Sequence, residues 1–234
     1  MPLAELLETL GLALRIALTA VLLAGPLALA TALALERLRG PWALLLQTGV
    51  LLPLVLPPLV TGYLLLGLFG RSSALGRAFE DLLGLSLSFS FAAAVLAAMV
   101  VGFPLFVESL RLSLGAIDPR LIEVSRCLGR GPLAILWRVQ LPLAWPGLLA
   151  GALLAFARAL GEFGATIVLA GNIPGETRQI PLAVYALLSQ PGREREALAL
   201  SLASVGMSLG ALGLLFGLRA WHARRLARLE RGSP

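Results

Sequence analysis

The chain has 234 residues, 58% of them hydrophobic and only 14% charged, with a formal net charge of +6. That is too much apolar surface for one soluble core and too few charges to cover it, which excludes an ordinary soluble domain. There is no lysine, so all 19 cations are arginines; set between long apolar stretches, they read as a topology signal and not as a nucleic-acid surface.

Charge-free runs at 16–35, 40–70, 82–107 and 197–218 are each long enough to cross a bilayer, and the run 139–157 opens another such segment. Their unbroken apolarity argues against a transmembrane β-barrel, which needs alternation. The expected fold is an all-α polytopic membrane protein, one transmembrane domain over 1–234. Five spans are predicted at about 10–35, 43–69, 83–107, 144–170 and 197–219, followed by a basic tail at 220–234. The leader MPLAELLE carries Glu5 and Glu8 and no cation, the reverse of a secretory n-region.

The second span contains Pro53, Pro57 and Pro58. Each removes a backbone donor and tends to kink or unwind the helix. Two readings stand, a kinked packing helix or a broken helix beside a translocation path, since bare backbone at membrane depth survives only inside protein or along a wet cavity.

Between the third and fourth spans lies an arginine-rich elbow, 118–142, reading DPRLIEVSRCLGRGPLAILWRVQLP. Asp118 is placed to cap a short helix that starts at Pro119, and Gly129 suits the left-handed residue that ends it. Gly131-Pro132 starts a second short helix, which Pro142 is expected to end. Leu121, Val124 and Leu128 share one face of the first helix, with Glu123, Arg126 and Arg130 largely turned away.

In the fourth span, Gly147, Gly151, Ala155 and Ala159 recur every four residues, a ridge that permits close helix contact, within the subunit or across a dimer. The same span holds Arg158 and Glu162, four apart on one face and near its middle. They are either a mutually neutralised pair that locks packing, or an anion-attracting arginine moderated by a carboxylate. A turn-rich loop follows at 171–181, with Asn172, Glu176, Thr177 and Arg178 able to face a partner or the mouth of a pathway.

With five spans, Arg37, Arg39, Arg111, Arg120, Arg126, Arg130, Arg138, Arg219, Arg224, Arg225, Arg228 and Arg231 fall on one side, twelve in all. Six, Arg15, Arg71, Arg77, Arg178, Arg193 and Arg195, fall on the other. The positive-inside rule then puts the elbow and C-terminus in the cytoplasm and the N-terminus outside. Cys127 and His222 are each the single residue of their type, so neither a disulfide within the chain nor a convincing metal cluster is expected. There is no GxxxxGK[ST] segment, so an energised process needs a partner for its energy.

The elbow's Glu123-Val-Ser-xxx-Gly129, followed nine residues later by Val139-x-Leu141-Pro142, resembles the cytoplasmic EAA loop of bacterial ABC importer permeases. That family's pattern is Glu-Ala-Ala, three residues, Gly, nine residues, Ile-x-Leu-Pro. The spacing matches throughout, with Val124 and Ser125 for the alanines and Val139 for isoleucine. Segment 155–185, AFARALGEFGATIVLAGNIPGETRQIPLAVY, further resembles the molybdate-uptake permeases and is similar to the sulfate/thiosulfate permeases.

The resemblance implies a type I ABC importer permease bundle whose elbow is a coupling helix seated in a groove of a cytoplasmic ATPase. Glu123, Ser125, Gly129, Leu141 and Pro142 are then the coupling residues. Arg158, Glu162, Thr166, Asn172, Thr177 and Arg178 are the residues of the path or gate. The implied cargo is a tetrahedral oxyanion, molybdate first, with tungstate and sulfate or thiosulfate as alternatives. Implied partners are an ATPase dimer, a second permease copy, an extracytoplasmic binding protein and the lipid of the bacterial inner membrane, with no nucleic acid. The chain itself is expected to be no enzyme and to hold no cofactor, ATP and Mg belonging to the ATPase. A secondary transporter driven by an ion gradient would call for an inverted repeat and paired broken helices, and no such repeat is visible.

Overall fold

A computed structural model describes the backbone of residues 3–84 and 87–231, and the side chains of 4–217 apart from 83, 85, 86 and 215. The side chains of the basic tail from 218 onward, His222 included, lie outside the described residues, as do 85–86 at the expected start of the third span. Every described element is helical.

Helix α1, Leu3–Arg37, runs the height of the molecule. Ala13, Ala17, Ala20, Ala24, Ala28 and Ala32 make one fully buried stripe along it. The stripe meets α5, Phe91–Gly115, whose Ala93, Ala94, Ala97 and Ala98 are equally buried. In lipid, apolar burial drives little association, so helices hold together by close backbone approach over small residues. Helix α8, Leu141–Leu160, packs on the other side of α5 by the same device. A Cβ added at Gly147 would stand 2.2 Å from Ser113 Cβ, and one at Gly151 2.6 Å from Phe106 Cδ2. The small-residue ridge of the fourth span is therefore used within the subunit, against α5.

The second span does not cross straight. It is two helices, α2 at Pro41–Val55 and α3 at Pro58–Phe69, bent by 118°. Leu56 is extended, with ψ 144, and Pro57 leads α3, where its carbonyl accepts from Val60 and Thr61. Consecutive prolines remove the donors that would carry the helix through, and the residue before a proline is pushed out of the helical region. Of the two readings of the proline triplet, the broken helix is the one observed. A short amphipathic helix, α4 at Ala74–Leu83, follows, with Ser73 accepting from Gly76 N–H at 2.8 Å.

The elbow contains α6, Pro119–Cys127, and α7, Pro132–Ile135. Pro142 does not end a helix. Residues Leu136–Gln140 form a π-helical turn, and the chain passes through it from α7 into α8 without interruption. Leu141 N–H bonds back to Leu136 C=O five residues earlier, and this wider register accommodates a proline lacking its own donor. The apolar helical segment consequently runs Pro132–Leu160, beginning earlier and stopping earlier than 144–170. Beyond Gly161 lie α9 at Gly164–Leu169, α10 at Ile180–Leu188 and α11 at Glu194–Arg231. Among the described residues four helices are long and apolar enough to cross a membrane, and the bent pair makes five if it is taken as one span.

Two opposite ends follow from packing. A Cβ on Gly115, at the elbow, would stand 3.6 Å from Glu36 Oε1, while one on Gly175, in the loop after α9, would stand 3.0 Å from Glu8 Oε1. Glu8 and Glu36 are roughly 42 Å apart at the helical rise, about a bilayer with its headgroups.

Candidate functional site

Two regions carry the polar chemistry, one at each end of α8. The first is the elbow. Asp118 Oδ1 accepts from Arg120 N–H at 2.9 Å, so the capping residue satisfies an orphan donor of α6. At the other end Gly129 has φ +75 and donates to Arg126 C=O at 2.9 Å, while Arg130 N–H donates to Ser125 C=O at 3.1 Å. That pair of bonds is a Schellman closure, which needs its left-handed residue. An added Cβ at Gly129 meets nothing within 4 Å, so glycine is required there by backbone conformation and not by space.

The helix thus held presents two faces. Leu121, Val124 and Leu128 are 48%, 58% and 71% exposed, an apolar row turned away from the rest of the chain. Ser125 is buried and donates to Leu121 C=O at 2.7 Å. Ile122, Arg126 and Arg130 line a cavity of about 500 Å3 shared with Glu36, Arg37 and Gln140. Glu123 is exposed, Leu141 half-buried and Pro142 exposed.

The second region surrounds the break between α8 and α9. Glu162 is fully buried. Its Oε1 accepts from Ala165 N–H at 2.8 Å, which caps α9. Its Oε2 lies 2.7 Å from Arg158 Nη1, close enough to pair but out of line for a hydrogen bond. Four residues on, the buried Thr166 Oγ1 accepts from Gln179 Nε2 at 3.3 Å, which ties α9 to the start of α10. Gln140 lines the elbow cavity, and Arg158 stands roughly 27 Å further along α8. The pair therefore lies at the end of α8 opposite the elbow, and not at the middle of the helix that a span of 144–170 would give it.

The loop after α9 is closed largely on itself. Thr177 is buried, and its Oγ1 accepts from Ile173 N–H at 2.9 Å. Arg178 Nε donates to Asn172 Oδ1 at 2.8 Å. So Arg158, Glu162 and Thr166 cluster at the break between α8 and α9, while Asn172, Thr177 and Arg178 brace the loop beside it. Gln179 belongs to the cluster too, fully buried with Oε1 unpartnered; no spacing or motif singles it out in the sequence, because its role depends on where α10 docks. The broken second span joins the same place. An added Cβ at Gly62 in α3 would stand 2.8 Å from Ala165 Cα, and one at Gly164 2.6 Å from Pro58 Cβ. Two interrupted helices therefore meet backbone to backbone around Glu162.

The bundle thus carries an exposed helical elbow at one end and interrupted helices meeting at the other. Solved structures share it: a bacterial ABC transporter involved in the import of the acidic polysaccharide alginate, TM-score 0.70 at 16% identity over 94% of this chain and 79% of that one, and a methionine ABC transporter in inward-facing conformations, TM-score 0.68 at 17% identity over 93% and 99%. The fold is that of a type I ABC importer permease. Residues 24–228 match the family described as binding-protein-dependent transport system inner membrane component, and the chain belongs to that family. It is 44% identical over 201 residues, 86% of this chain and 88% of the other, to the molybdenum transport system permease protein ModB of Escherichia coli K12. To the protein of the same name from Haemophilus influenzae it is 43% identical over 223 residues, 95% of each. The chain is thus a multi-pass component of the inner membrane and a transport subunit, not an enzyme.

Proposed function

We propose that this chain is the membrane-spanning subunit of an ATP-driven molybdate importer, working as two copies with a cytoplasmic ATPase dimer and an extracytoplasmic binding protein. The observation that carries the mechanism is the elbow's outward row of Leu121, Val124 and Leu128. Such a row suits a helix-in-groove contact of short apolar anchors, and its rigidity comes from the Asp118 cap and the Gly129 closure. Glu123 supplies a charge at the rim of that contact, and Ser125, bonded back to Leu121 C=O, lies on the buried face of the same helix. The π-turn before Leu141 and Pro142 makes α7 and α8 one continuous helix, and the closure at Gly129 joins α6 to it, so movement imposed by the ATPases on α6 is passed along α8 toward Arg158, Glu162 and Thr166. ATP and Mg act on the partner, and this chain responds by a shift between inward-open and outward-open populations.

The cargo reading follows the molybdenum permeases to which the chain is similar. A dianion needs positive potential on its route but must not be held there. Arg158 beside Glu162, and Arg178 beside Asn172, are cations already engaged, suited to weak and transient contacts. The loop carrying Asn172, Thr177 and Arg178 sits at the end of α1 that holds Glu8, which the arginine distribution assigns to the outside, with the C-terminus cytoplasmic.

The test is uptake of labelled molybdate into proteoliposomes holding the permease, its ATPase and its binding protein. ATP-dependent uptake competed by tungstate and not by equimolar sulfate is expected. Uptake without the ATPase, or sulfate competing as well as molybdate itself, would overturn the assignment.

A further inference from the structure

Between α1, α2 and α5 lies an apolar groove of about 780 Å3, walled by Leu27, Leu38, Trp42, Leu45, Met99 and Phe103 among others. The Thr31 hydroxyl in its wall is spent on Leu27 C=O at 2.8 Å. Val50 is the one buried residue of α2, while Trp42, Leu44, Leu45, Leu52 and Leu54 are exposed. The groove is thus where α2 lacks packing against its own chain.

Its dimensions indicate what fills it. From Leu27 on α1 to Leu38 just past its end, and from Trp42 to Pro53 on α2, the walls run roughly 16 Å at the helical rise. That is about half of the ~30 Å hydrocarbon core, the depth of one leaflet. The groove stops near the break that ends α2, so it offers no track for a helix crossing the whole membrane. Its mouth is the turn between Leu38 and Trp42. Arg39 stands on that turn, exposed, while Arg37 before it lines the elbow cavity. Trp42 is 69% exposed, in the position of an interfacial aromatic. A dry channel one leaflet deep, with an arginine and a tryptophan on the turn at its end, is complementary to an acyl chain joined to a phosphate.

We propose that this groove is a site for an anionic phospholipid, one acyl chain lying between α1, α2 and α5 and the headgroup at Arg39, in the leaflet at the elbow end. The lipid supplies the packing that α2 lacks and so holds the first half of the broken span in place.

Native mass spectrometry of the full chain, titrated with phosphatidylglycerol or phosphatidylcholine of identical acyl chains, tests this. One arginine near an anionic headgroup favours phosphatidylglycerol by roughly fivefold. Arg39→Gln should bring phosphatidylglycerol down to the phosphatidylcholine level and leave the latter unchanged. Gly49→Leu fills the groove at a place where an added Cβ meets nothing within 4 Å, and should weaken both lipids, with circular dichroism confirming helix content. Equal retention of the two lipids by the native chain, or native retention of both by Gly49→Leu, would overturn the proposal. So would an efficient disulfide dimer from Leu45→Cys in a Cys127→Ser background, which would put a second copy of the chain in the groove.

Discussion

Replacing Gly129 with valine isolates the elbow's turn from its contacts. The residue sits at φ +75 with open space around the missing side chain, so the entire penalty is conformational. An L-residue in the left-handed region costs about 1–2 kcal/mol, and a β-branched one more. At 1.4 kcal/mol per tenfold, that lowers the population of the closed turn relative to alternatives by roughly five- to thirtyfold. The bonds at stake are Gly129 N–H to Arg126 C=O and Arg130 N–H to Ser125 C=O. Without them the outward row on α6 loses its fixed angle to α8. In proteoliposomes the ratio of ATP hydrolysed to substrate imported should rise severalfold for Gly129→Val and less for Gly129→Ala. It should stay near native for Gly129→Asn, because asparagine tolerates the left-handed region. Three variants coupling equally well would refute the reasoning, and so would an asparagine variant as impaired as valine, since that would trace the defect to space or side-chain chemistry.

Arg158→Ala leaves the buried Glu162 carboxylate without its cation and should cost about 3 kcal/mol, read as a lowered melting temperature in detergent. Arg158→Ala with Glu162→Gln should recover most of it, because a glutamine oxygen still accepts from Ala165 N–H; no recovery would mean the arginine acts elsewhere. Gly147→Ala drives a Cβ to 2.2 Å from Ser113 Cβ and 2.7 Å from Ser109 O, and overpacking of this kind costs about 1–3 kcal/mol. Gly206→Ala, with nothing within 4 Å, should be neutral or gain about 0.5–1 kcal/mol from helix propensity; equal melting temperatures for the two would undo the assignment of the ridge to α5. Arg225→Cys in a Cys127→Ser background should resist membrane-impermeant thiol reagents in intact cells, and labelling from outside would reverse the topology.

What the sequence determines by itself is local. Apolar runs longer than a bilayer are legible without partners, because lipid demands that each backbone segment satisfy its own hydrogen bonds. Asp118, Pro119 and Gly129 announce α6 and its ends because caps and left-handed turns involve residues within one turn of each other. The pairing of Arg158 with Glu162 is likewise legible at four-residue spacing. Pro142 is the counter-example: by itself it signals a stop, yet the π-turn over Leu136–Gln140 lets the helix through. That changed where the helix begins, and with it the place of Arg158 along it. The tertiary structure alone decides that α2 and α3 diverge by 118°, that Gly62 and Gly164 bring α3 onto α9, and that Gln179 reaches Thr166. These are contacts between segments far apart in the chain. Each depends on two surfaces fitting at once, and no stretch of sequence holds both.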